Sequence, residues 1–198
     1  MHGPYRSLAA MLLIAAVFGP LAAHAGDSST KPSVATVRLL PRDAVVPVRM
    51  VTRYFPDVTK EAGKSSNETA VGNATGSLSV VFIDAAGTKK ITLSVDEYAS
   101  AVDAAAAFQT AVRGSKAAPG FKLTAPPGLG EESFAGTSRV GAEMHYGLGA
   151  REGRVIVSAT HAGDIPVTPH NSKSMISLAG AVFTAARRVL RRGAAPPR

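Results

Sequence analysis

Apolar and polar positions alternate most clearly between residues 78 and 95. Leu78–Asp84 reads LSVVFID, and Ile91, Leu93 and Val95 then alternate with Thr92, Ser94 and Asp96. A period of two marks a half-buried strand. With Ala85-Ala86-Gly87 as the turn, the segment predicts a β-hairpin. The period then lengthens. Ala101, Ala105, Phe108 and Val112 recur at helical spacing. Ser100 stands where a cap belongs, with Asp103 three residues on, and Gly114 and Pro119-Gly120 close the helix. A second hairpin is predicted from 142–148 and 154–162, joined around Arg151-Glu152-Gly153. After a loop over 163–171, Ser172 or a neighbour caps a last helix that runs to about Arg192. Its apolar stripe is Met175, Leu178, Ala179, Val182, Ala186, Val189 and Leu190.

Before the first hairpin the pattern is weaker. Pro47 suits the first position of a short helix in which Val48, Val51 and Phe55 share one side, and the β-branched residues keep a strand as the alternative. Residues 60–76 are polar and rich in Gly, Ser and Thr, and read as a loop. Two Asn-x-Ser/Thr patterns, at Asn67 and Asn73, fall in it. Hairpin, helix, hairpin, helix is the order of an α+β layer fold. The expectation is an antiparallel sheet of two β-hairpins, each followed by a helix packed on the sheet (a ββα-ββα pseudo-repeat), with both helices on one face and a short N-terminal helix ahead.

The extreme N-terminus follows a different rule. Arg6 precedes an apolar run from Leu8 to Leu21, and Ala23-His24-Ala25 offers small residues at both positions that a signal peptidase inspects. The run is shorter than the roughly 20 residues needed to span a bilayer. The expected organisation is a cleaved signal peptide over 1–25, a flexible leader over 26–40, one α+β domain over 41–192, and a disordered basic tail over 193–198. No transmembrane anchor is expected after cleavage. The chain is expected to be periplasmic or secreted.

Composition narrows the chemistry. In 198 residues there are 22 Lys and Arg against 14 Asp and Glu, a formal charge of +8, and no Cys. Disulfides, thiolate metal sites, iron–sulfur clusters and a cysteine nucleophile are thereby excluded. A hydrophobic share of 45% argues against wholesale disorder.

The run ITLSVDEYASAVDAAAAFQTAV, then PGFKL, then GLGEESF (Gly128 to Phe134), then paired strands and a closing helix, resembles a class of small bacterial envelope domains. Actinobacterial secreted lipoproteins and extracellular sensor domains of serine/threonine kinases share this order. The resemblance covers about residues 76–190, and only GLGEESF is at all specific. It implies an α+β sandwich and ligand sensing or binding at the envelope. The chain departs from it by lacking a lipobox cysteine and a kinase domain, so lipid anchoring and kinase signalling do not carry over.

Candidate chemistry is sparse. His145 and His161 lie on the two strands of the second hairpin. A two-residue turn at Glu152-Gly153 sets 148 against 157 and 144 against 161, and separates the histidines onto opposite faces. A three-residue loop with Gly153 left-handed would put His145, His161 and Glu143 on one face, the register a metal site would need. The first register makes the better apolar face and is the one expected, so no metal is called for. Gly128-Leu129-Gly130 reads as a structural turn that packs Leu129 and Phe134 inward. Glu131 and Glu132, as neighbours on a strand, should point to opposite faces. Ser133 lacks the Gly-x-Ser-x-Gly elbow. No catalytic residue and no cofactor are assigned.

The basic character makes the strongest functional claim. Arg187, Arg188, Arg191 and Arg192 point away from the stripe of the last helix, with Arg198 on the tail. They form a candidate surface for an anionic envelope component or an acidic protein. Export and the lack of interleaved aromatics argue against nucleic acid. The expected function is a non-enzymatic binding or sensor-like domain of the bacterial cell envelope. The alternative is an envelope hydrolase or other enzyme whose site only the fold assembles.

Overall fold

The computed structural model describes residues 37–65 and 73–193. The expected signal peptide, most of the leader, Asn67, Arg198 and the side chain of Arg192 lie outside the described residues. The elements in chain order are β1 (Arg38–Leu39), a 3-10 turn (Arg42–Ala44), α1 (Val48–Tyr54), β2 (Val58–Ser65), β3 (Ala74–Asp84), β4 (Lys89–Tyr98), α2 (Ala101–Ala117), β5 (Lys122–Leu123), β6 (Glu132–Val140), β7 (Glu143–Glu152), β8 (Val155–Gly163) and α3 (Pro169–Gly193). The eight strands form one sheet in the order β1-β3-β4-β8-β7-β6-β5, and β2 pairs with β3 beside β1.

Both hairpins form where the alternation placed them, and three features of the expected plan are corrected. First, the sheet is mixed, because β1 runs parallel to β3. Second, each supposed hairpin has a third strand. β2 takes up residues 60–65 of the expected polar loop and pairs with β3 through two irregularities in register. Only Val58 of β2 is buried, so its side chains carry no strand signal; backbone pairing with β3, the Arg42–Glu61 ion pair and the buried Val58 hold it. Lysines and a glutamate on such an edge also discourage pairing with another chain. β6 runs alongside β7 from Glu132↔Arg151 to Val140↔Glu143, and was hidden by its Gly and Ser content. Third, the helices cover opposite faces. A two-fold axis relating antiparallel β4 to β8 would run normal to the sheet and leave both helices on one side. The halves are therefore not a ββα repeat.

The reason for a helix on each face is read from the strands. One face carries Leu78, Val80, Phe82, Ile91, Leu93, Val95, Leu148, Val155 and Val157, all buried. The other carries Tyr98, Phe134 and Ile156. A sheet apolar on both sides needs cover on both. The stripe of α3 (Met175, Leu178, Ala179, Val182, Ala186, Val189) closes the first face as expected, with Phe183 added and with Leu40, Val45, Val51, Phe55 and Val58 from the N-terminal segment. α2 closes the second with Ala104, Ala107 and Phe108, packed on Phe134 and Ile156. The buried stripe of α2 thus runs through Ala104, Ala107, Phe108, Ala111 and Ser115, and Ala101 is exposed. Phe108 meets Phe134 edge to face, with ring centroids 5.6 Å apart.

Local chemistry fixes the ends of the helices. The Ser100 hydroxyl oxygen accepts from the Asp103 N–H at 3.1 Å, and its O–H donates to the Asp103 carboxylate at 2.6 Å. α3 begins three residues earlier than Ser172. Thr168 caps it by accepting from the Asn171 N–H at 3.1 Å, and Pro169 takes the first position, where its missing N–H costs nothing. α1 follows Pro47, as the proline argument requires, and buries Val51, with Phe55 buried at its C-terminal cap.

Candidate functional site

Three places hold the chemistry-bearing side chains: the turn containing GLGEESF, the two histidines of β7 and β8, and the arginine end of α3.

The turn is a clamp. Gly130 has φ +68°, and a Cβ there would collide with the carbonyl oxygen of Arg151. That closeness lets the Glu131 N–H reach the same oxygen at 2.8 Å. Glu131 precedes β6 instead of lying within it, so the two carboxylates do not diverge. Both converge on the nearly buried Arg151, each at 2.7 Å. The guanidinium also donates to the Gly153 carbonyl at 3.1 Å. Leu129 packs against the main core and Phe134 against the second, as the turn reading expected. The motif joins β6 to the β7–β8 turn, and its charges are spent on that junction. Glu97, near the end of β4, serves a similar role between Arg38 of β1 at 2.7 Å and Arg154 of the β7–β8 turn at 2.9 Å.

The β7–β8 turn is Gly153-Arg154, with Glu152 paired to Val155 and Gly153 at φ +54°. It sits one residue later than expected. Every pair shifts by two, to Tyr146↔His161 and Leu148↔Ala159, and a shift of two preserves the faces. His145 and His161 therefore lie on opposite sides of the sheet. His161 is fully buried under the α3 face. It stacks on Tyr146 with centroids 5.6 Å apart, and neither ring nitrogen has a hydrogen-bond partner. Burial pushes its pKa down to about 4, so the ring is neutral. Among the described residues no cluster of three His, Asp or Glu is placed to hold a metal.

His145 lies on the α2 side and is 4% exposed. Its Nε2 is 3.2 Å from the Glu143 carboxylate, and its Nδ1 is unpartnered. It lines a cavity of about 40 Å³ with Ser115, Phe121, Phe134, Ser138 and Thr160, floored by Gly136 and Gly147. Sequence reasoning missed this cavity, because glycines facing a helix across a sheet leave no pattern along the chain.

A buried acid lies on the same side of the sheet. Asp96 accepts from the Ser77 hydroxyl at 2.6 Å, and burial pushes its carboxyl up to about 6. Burial, reinforced by Asp96, also raises the pKa of Tyr98.

No family model matches the chain, and no curated protein matches it in sequence. The fold is similar to that of a solved structure. That structure is the extracellular domain of PknH from Mycobacterium tuberculosis, with a TM-score of 0.52 and 9% sequence identity, over 71% of this chain and 93% of that one. At that identity the likeness concerns the fold alone. The mixed α+β sheet is thus one on which an extracellular kinase domain is also built. Among the described residues no helix is long and apolar enough to cross a membrane.

The four arginines are not equivalent. Arg187 pairs with Glu152 of β7, and its guanidinium lies 5.9 Å from the Phe183 ring centroid. Arg188 and Arg191 are exposed and have no carboxylate partner among the described residues. Three residues apart, they share one side of the helix.

Proposed function

We propose that the chain is an exported, non-enzymatic binding domain of the bacterial cell envelope, sensor-like in fold, that meets an anionic envelope component through the arginine end of α3. The signal pattern over residues 1–25 supports export to the periplasm or beyond. The fold likeness to an extracellular domain is compatible with that address. The observation that carries the partner reading is the pair Arg188 and Arg191, exposed and uncompensated on a helix whose neighbouring arginine is already paired. Favourable interaction with the helix dipole, about 0.3–1 kcal/mol each, accounts for basic residues at such an end, but it does not predict binding.

Sedimentation with vesicles separates the two explanations. The protein should bind phosphatidylglycerol–phosphatidylcholine vesicles, leave pure phosphatidylcholine vesicles unbound, and lose binding as salt rises. Each basic residue near such a surface contributes about 1 kcal/mol. Replacing Arg188, Arg191 and Arg192 together by Gln should weaken binding by about two orders of magnitude while leaving the circular dichroism spectrum unchanged. Equal binding by the variant would remove the arginines from the interface.

A further inference from the structure

We propose that the cleft between α2 and the β6–β7–β8 face is a binding site for a small neutral ring compound bearing a hydroxyl group, a phenol being the simplest member. The cavity of about 40 Å³ is open on one side. A water needs roughly 10–15 Å³ of such space, so the cleft admits the end of a ligand and leaves the rest in the mouth. Its walls are mainly carbon, with the rings of Phe121 and Phe134 among them. Aromatic faces of this kind favour another ring. Its depth comes from missing side chains, since Gly136 and Gly147 stand side by side on β6 and β7.

One polar group asks for a specific partner. The Nδ1 of His145 is buried without a hydrogen bond. In the neutral form of the ring, Nε2 donates to the Glu143 carboxylate, which can only accept, and Nδ1 is left as an acceptor. A buried acceptor without a donor costs stability, and a ligand O–H removes that cost. Ser138 and Thr160 line the same space, and hydroxyls of their kind can accept or donate. A charged group would lose its hydration against the aromatic walls, which is why the ligand is neutral. The site lies across the sheet from α3, so this proposal and the arginine reading can fail separately.

Amide NMR shifts of the protein, recorded at mildly alkaline pH, test it. Phenol should give saturable shifts along β6, β7 and Thr160 in the millimolar range expected for so small a molecule. Toluene, nearly the same shape without the donor, should bind at least about tenfold more weakly. Gly147→Ala places a Cβ 3.4 Å from Thr160 Cγ2, ordinary packing contact, so the fold should survive with the floor raised. This variant should lose phenol binding by a similar factor while keeping its circular dichroism spectrum. Non-saturating phenol shifts, equal binding of toluene, or undiminished binding to a folded Gly147→Ala protein would each overturn the proposal.

Discussion

Two buried groups on opposite faces of the sheet should make opposite contributions to stability as pH falls, and removing either should expose the other. The folded protein moves Asp96 from an ordinary 3.8 up to about 6, so the native state holds that proton more tightly than the unfolded chain. Its contribution is full below about pH 4 and is lost as pH rises through 6. His161 moves from 6.5 down to about 4. Its contribution is full above about pH 6.5 and is lost as pH falls through 4. At about 1.36 kcal/mol per pH unit, each amounts to about 3 kcal/mol across that window. They nearly cancel, and the wild-type profile between pH 4 and 6.5 should be almost flat. Asp96→Asn keeps an acceptor for the Ser77 hydroxyl. It should lose about 3 kcal/mol on acidification from pH 6.5 to 4. His161→Leu should gain about that much over the same range, and should be no less stable than wild type at pH 7, because it removes two unpartnered buried nitrogens. The assay is urea unfolding followed by circular dichroism at several pH values. Glu61 and Asp84 have lowered pKa values, from the Arg42 hydrogen bond and the Lys89 N–H respectively. Their losses begin only near the acid end and cancel between variant and wild type. If Asp96→Asn shows the wild-type profile, Asp96 is not ionising in a buried setting and the reasoning fails.

Other outcomes follow from the same structure. Gly130→Ala should lower the unfolding free energy by about 2–3 kcal/mol, since it adds a backbone collision to a left-handed residue, and denaturant midpoints will show it. Ser100→Ala should cost about 1 kcal/mol through loss of the α2 cap, with faster amide exchange confined to the first turn. Phe108→Ala should cost about 3–5 kcal/mol, whereas Val102→Ala, on the same helix but 77% exposed, should leave the midpoint within about 0.5 kcal/mol.

What could be read along the chain was what repeats along it. The stripe of α3 and the alternation of β4 survive into the structure because each residue reports its own burial. β2 was invisible because seven of its eight residues are exposed, and β6 because Gly136 and Ser138 lower its strand propensity. That the helices lie on opposite faces depends on pairing order, which no local pattern contains. The parity of His145 and His161 was legible, because only the oddness of the register matters to it. The convergence of Glu131 and Glu132 on Arg151 was not, because it turns on where β6 begins. The His145 cleft was beyond reach for a related reason: Gly136 and Gly147 become a floor only once β6 and β7 are paired and α2 is laid across them.

The account stands on export of a folded binding domain, and the mass of the chain isolated from fractionated cells tests that most directly. A species beginning at Gly26 in the periplasmic fraction or the medium is the predicted result. A chain still carrying Met1 to Ala25 and confined to the cytosol would contradict it.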